Sequence, residues 1–141
     1  MYYNLNGDEM NIGEVSKKFN LSIDTLRYYE NIGLIKNIKR EHNIRVYSSK
    51  DLEQISFIEC MKKSGFPLKE IVKFINLYED GNKTIPKRID MLLNQKTIIL
   101  KEIKDKEETL KFLNYKINYY DKLLKEENCL WQLTNTPTQK G

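Results

Sequence analysis

The sequence predicts a mainly α-helical chain: an N-terminal winged helix-turn-helix with a small β-hairpin wing, followed by a long C-terminal coiled-coil helix. Three observations carry that prediction. Two short stretches of helical spacing, near Ile12 to Phe19 and Ile23 to Asn31, are separated by a three-residue polar break. A basic segment with β-branched residues on either side of a polar centre comes next. From Pro86 onward, apolar residues recur at alternating steps of three and four, the mark of a supercoiled seam.

Each element has a local cause. Residues 1–9 are polar and aperiodic and read as a flexible extension, with Met10 a plausible alternative start. Ile12, Val15 and Phe19 fall on one face of a first helix. Ser22 can cap a second helix with Asp24 in its first turn; Leu26 and Tyr29 point inward, and Gly33 supplies a stop. Lys36 to Tyr47 is the predicted wing, turning at Glu41 to Asn43. Its Lys36, Lys39, Arg40 and Arg45 stand against one acid, Glu41. Ser48 and Asp51 form a capping signal for a third helix, with Leu52, Ile55 and Ile58 on one side and Ser64-Gly65 at its end. Leu68 to Tyr78 repeats the pattern with Ile71, Phe74, Ile75 and Tyr78, and Gly81 lies beyond it. Residues 10–80 therefore read as one small domain.

After a polar joint at Gly81 to Thr84, residues 85–127 read as a coiled-coil helix for dimerisation. Its seam is Ile89, Leu92, Ile99, Ile103, Leu110, Leu113, Ile117, Tyr120 and Leu124, with Lys96 and Lys106 at two further seam positions. At 1.5 Å per residue such a helix spans roughly 60 Å, too long to fold back on a small domain, so the seam asks for a second chain. Parallel and antiparallel pairs share this spacing. Residues 128–141, with Trp131 and Pro137, read as a short tail: a docked segment and then a disordered end.

Composition limits the function. Of 141 residues, 31% are charged and 40% hydrophobic, a balance that favours solvated helices over a thick interior. The net charge of +4 suits a polyanionic partner. Residues 10–79 and 80–141 each hold 12 basic and 9 acidic groups, so local placement rather than gross charge decides which part meets it. No apolar run approaches the length of a membrane span and no signal peptide is recognisable, so a cytoplasmic protein without membrane contact is expected. Cys60 and Cys129 lie far apart, with neither a disulfide nor a metal-ligand spacing. No nucleophile with a nearby base, carboxylate pair or glycine-rich phosphate loop points to an enzyme, and no cofactor or metal is implied.

Three spaced motifs, Ile12-Gly-Glu-Val-Ser, Asp24-Thr-Leu-Arg-Tyr-Tyr-Glu-Asn-Ile-Gly-Leu-Ile35 and Ile44-Arg-Val-Tyr47, resemble the MerR family of transcription regulators, and Ser64-Gly-Phe-Pro-Leu-Lys-Glu-Ile71 looks like that family's second helical pair. The resemblance covers about residues 11–78, and the long helix fits the family's antiparallel dimerisation coil. It implies a homodimer on a pseudo-palindromic promoter in double-stranded DNA, acting with RNA polymerase by bending and untwisting an overlong spacer. Phe57 to Gly65, Tyr78 to Gly81 and the short tail look most like the AdhR/NmlR-like branch, which responds to aldehydes and other electrophiles.

The second helix of a helix-turn-helix enters the major groove, which makes Ser22, Thr25, Arg27 and Tyr28 the expected DNA contacts, with Lys39, Arg40, Arg45 and Tyr47 extending them along the backbone from the wing. The plainer reading is that the tyrosines pack and the arginines are solvated. His42, at the wing tip, has no companions for a metal site. Cys60 is the candidate sensor thiol, with Lys63 one turn away to favour a thiolate; the plainer reading is a small buried side chain. Two alternatives stand beside the regulator: a small-molecule pocket at the dimer interface against Tyr119, Tyr120 and Trp131, and a coiled-coil scaffold protein whose N-terminal domain binds another protein.

Overall fold

The structure, a computed structural model, describes residues 9–135. The expected tip of the chain's extension, residues 1–8, and the end of its tail, residues 136–141, lie outside them. The chain divides into two units, residues 1–95 and 96–141.

The first unit begins with a strand that the sequence reading did not foresee. Met10–Asn11 (β1) pairs antiparallel with Ile44–Tyr47 (β3), Met10 opposite Tyr47, and β3 pairs on its other edge with Lys39–Glu41 (β2). The wing hairpin is thus the outer part of a three-stranded sheet of order β1-β3-β2. The hairpin turns through His42 and Asn43, both with positive φ (52° and 64°), which matches the two-residue turn whose twist suits paired strands. Asparagine tolerates that conformation better than most residues, so the turn forms without glycine.

Ile12–Phe19 (α1) starts at a capping box in which Asn11 accepts from the Glu14 amide at 2.9 Å and Glu14 accepts in return from the Asn11 amide. Ile23–Asn31 (α2) starts where Ser22 Oγ accepts from the Thr25 amide at 3.0 Å. Ser48 and Asp51 form the box that opens Ser49–Lys63 (α3). Pro67 precedes Leu68–Glu79 (α4), and a single 3-10 turn, Asn82–Thr84, leads into Ile85–Asn135 (α5). Gly65 has φ +91°, and a Cβ there would press on the Gln95 side chain, whose amide donates to the Ser64 carbonyl at 2.8 Å. The missing side chain lets the end of α3 close against the first turns of α5.

One core unites these elements. Val15, Leu26, Tyr29, Leu34, Ile35, Tyr47, Leu52, Ile55, Ile58 and Ile71 are all at most 1% exposed, with Phe74 and Ile75 beside them. Fully burying side chains of this size stabilises by roughly 1.5–3 kcal/mol each before entropy is counted. Tyr29 adds a polar anchor: its hydroxyl donates to Glu59 at 2.9 Å and accepts from Lys62 at 2.6 Å.

Within the second unit α5 is one unbroken helix on which every residue from 100 to 135 is exposed. Two expectations are corrected here. The helix runs to Asn135 rather than ending near 127, since nothing between Cys129 and Asn135 breaks it. At the start of the expected tail, Trp131 lies on this helix and is 65% exposed, so it is not docked on its own chain.

Candidate nucleic-acid interface

The outer face of α2 and the wing enclose an open hollow of about 670 Å³ lined by Asp24, Arg27, Tyr28, Glu30, Asn31, Arg40 and Arg45. Arg27 and Tyr28 reach it from α2 because Leu26 and Tyr29 take the buried side of that helix. Arg40 and Arg45 reach it from directly opposite positions on β2 and β3. Four of the residues expected to meet DNA therefore come together although 18 positions separate the first from the last.

Glu30 organises the cluster, and the motif reading did not single it out. Arg45 Nε donates to Glu30 Oε2 at 2.7 Å, and an Arg40 Nη lies 3.8 Å from the other carboxylate oxygen. One half-buried carboxylate thus ties α2 to both strands of the wing and sets where two guanidinium groups stand. Arg27 has a looser partner in Asp24 at 3.9 Å, with both side chains well exposed, a pair worth little in water. Charge spacing could have found Glu30, since it is the sole acid among Asp24's successors before Glu41.

The other expected contacts divide. Ser22 and Thr25 sit at the N-terminus of α2, where their hydroxyls are 2.7 Å apart and the Ser22 oxygen also caps the helix. Lys39 lies outside the hollow, 2.8 Å from Glu41, whose hydrogen bond raises the lysine pKa above its ordinary value. Tyr47 is a correction: it is 0% exposed, and its place is in the core under the sheet, with no surface to offer a phosphate. Its hydroxyl is buried without a hydrogen-bond partner, and burial raises its pKa. His42 is exposed at the wing tip, and no group of metal-binding side chains exists among the described residues.

Cys60 is exposed on α3, which overturns the plain reading of a buried filler. Ser64 Oγ donates to the Cys60 carbonyl at 2.8 Å. Among the described contacts, none joins Lys63 to the thiol. No helix among the described residues is long and apolar enough to cross a membrane.

Residues 10–77 match the model of the MerR HTH family regulatory protein, and residues 52–114 match that of the MerR DNA-binding region. A solved MerR family transcriptional regulator from Listeria monocytogenes is 32% identical, with a TM-score of 0.79 over 89% of this chain and 96% of that one. The chain belongs to the MerR family. A second MerR structure, HiNmlR bound to promoter DNA and described as lacking the sensor domain, is 30% identical, with a TM-score of 0.70 over 82% of this chain and 92% of that one. Among MerR regulators of known name, AdhR of Bacillus subtilis is 38% identical over 88 residues, which are 62% of this chain and 63% of AdhR. The relatives are transcriptional regulators, not enzymes, and this chain is a MerR-type regulator with a DNA-binding helix-turn-helix domain.

Proposed function

We propose that the protein is a homodimeric transcription regulator that binds a pseudo-palindromic promoter site and acts by distorting the DNA so that RNA polymerase can use the promoter. The observation that carries this reading is the hollow in which Arg27, Tyr28, Arg40 and Arg45 converge from α2 and the wing. Guanidinium groups suit phosphate oxygens, and contacts from two directions hold a recognition helix in register against the major groove. Paired through α5, two such domains would engage half-sites about one helical turn apart. Bending the duplex between them has an energetic cost that depends on sequence and geometry, so a small shift of the domains can switch the promoter.

Cys60 is the proposed point of control. Its exposure and the likeness to AdhR support addition of the thiol across an aldehyde C=O, with sulfur bonding to carbon and the proton passing to oxygen. The adduct would sit on α3, one face of which packs in the domain core. Selection of bound sequences from a random duplex pool tests the first part; a two-fold-related winner with steeply salt-dependent binding is expected. If no sequence is enriched, the scaffold reading replaces this one. For the second part, Cys60→Ala should bind the same site but lose any formaldehyde-dependent change in promoter output; an unchanged response removes the thiol from the account.

A further inference from the structure

The first turns of α5 are fastened to their own domain at two places. At the start, the buried Thr84 hydroxyl donates toward the Leu77 and Gly81 carbonyls and accepts from Arg88 Nε at 3.1 Å. An Arg88 Nη adds a bond of 3.3 Å to the Gly81 carbonyl. Met91 then packs against the core, and at the far end Gln95 Nε2 donates to the Ser64 carbonyl at 2.8 Å. Arg88, Met91 and Gln95 follow one another at steps of three and four, so they share a face toward the domain, while Ile89 and Leu92 of the seam fall on other positions. The inner fastening is buried and made of several bonds. The outer one is a single exposed bond, on the last residue of the first unit.

The outer bond closes on a particular turn of α3. The Ser64 amide and hydroxyl both donate to the Cys60 carbonyl, at 3.0 and 2.8 Å. The Ser64 carbonyl lies at the helix end, where carbonyls have no partner within their own helix, and Gln95 supplies one. Room for it comes from Gly65, since a Cβ there would come within 2.7 Å of Gln95 Nε2. The turn from Cys60 to Ser64 is thus bonded directly to α5.

We infer that Gln95 is a positioning residue: its bond to Ser64 latches α5 onto the turn that Cys60 begins, with Thr84 as the pivot, and the latch sets how strongly a bound promoter is bent. The inference rests on the dimer and the DNA distortion proposed above. With the latch closed, each domain and the start of its helix form one stiff piece, and the duplex must conform to the spacing that the pair imposes. With it open, the domain can turn about Thr84 and the duplex relaxes toward straight. A hydrogen bond of this kind shifts such an equilibrium about two- to tenfold. A dimer carries two latches, so concerted opening multiplies the factors to about four- to a hundredfold. An adduct on Cys60 acts on the turn that the latch holds, and so favours one of the two arrangements.

Gln95→Glu keeps the size and helix propensity of the side chain but has no proton to give the Ser64 carbonyl, whereas Gln95→Lys restores a donor. Full-length dimers are bound to the selected duplex carrying a dye at each end, and single-molecule energy transfer counts bent and straight complexes. For Gln95→Glu the ratio of bent to straight is expected to fall about four- to a hundredfold, with dimerisation, thermal stability and DNA affinity little changed. Gln95→Lys should return the ratio to the wild-type value. Formaldehyde should shift the ratio for the wild type and Gln95→Lys but not for Gln95→Glu. A Gln95→Glu ratio equal to the wild type's, an equal loss in both variants, or a formaldehyde shift that survives in Gln95→Glu overturns this inference and leaves the regulator reading standing. A wild type that ignores formaldehyde removes Cys60 from the proposed function, and the untreated ratios then decide the inference by themselves. A wild type that binds the duplex without bending it overturns the distortion reading and this inference together.

Discussion

The N-terminal domain and the later part of α5 treat apolar side chains in opposite ways. In the domain, Val15, Leu26, Ile55, Ile58 and Ile71 are wholly buried, and polar side chains such as Tyr29 and Glu30 mostly find partners within the same chain. On α5, Leu110, Ile117 and Leu124 are 57%, 63% and 55% exposed, and Leu100 and Phe112 are exposed beside that seam. A single soluble chain gains nothing by leaving such a stripe in water. The domain is a unit that can hold itself together, whereas the helix carries the exposed apolar stripe that the proposed dimer would cover. Stability and assembly should therefore separate under mutation.

The largest effect is expected from the double substitution Ile103→Glu, Leu110→Glu. Two carboxylates in an apolar seam should weaken the dimer at least about a thousandfold, roughly 4 kcal/mol, as read by sedimentation equilibrium. The domain's own thermal transition should hardly move, and a coupled loss of both would erase the contrast.

A pair of tyrosines probes the domain at a finer scale. Tyr29→Phe leaves Glu59 and Lys62 without their shared hydroxyl and should cost about 1–2 kcal/mol in denaturant unfolding. Tyr47→Phe removes a buried hydroxyl that has no partner, and should leave stability unchanged or raise it by up to about 1 kcal/mol, with DNA affinity unaltered. Burial raises the pKa of both phenols. A phenol harder to ionise in the folded than in the unfolded chain contributes stability that is complete below the unfolded value near 10 and is lost as pH climbs through the folded value. Tyr47→Phe should accordingly make the alkaline decline in stability shallower.

The smallest effect is expected at Glu30, whose carboxylate competes with phosphate for Arg40 and Arg45. Glu30→Gln should tighten DNA binding about two- to fivefold at low salt and steepen its salt dependence by about one counterion. Weaker binding would mean that Glu30 matters more for holding the arginines in place than for opposing DNA.

What was legible in the sequence was local. Ser22, Ser48 with Asp51, and Gly65 mark helix ends through bonds or backbone conformations that span a few residues, and the four domain helices lie within a residue of the expected limits. What was missed depends on distant pairing. β1 is two residues long, too short for any alternation, and exists because β3 offers an edge more than thirty positions later. Glu30 gains its role from a strand that arrives after it, and Tyr47 loses its expected one because the face it shares with Arg45 turns into the core toward the strand's end. Arg27, Tyr28, Arg40 and Arg45 were each identifiable, but the single hollow they line emerges only from the fold.

The central claim is that two domains reach DNA together because α5 joins two chains. The most direct measurement is the stoichiometry and symmetry of the complex on the selected duplex, from sedimentation of the complex and hydroxyl-radical footprinting. The account predicts two chains per duplex, with protections in two blocks related by two-fold symmetry, and a half-site that binds far more weakly. One chain per duplex, with a single protected block and undiminished half-site affinity, would contradict it.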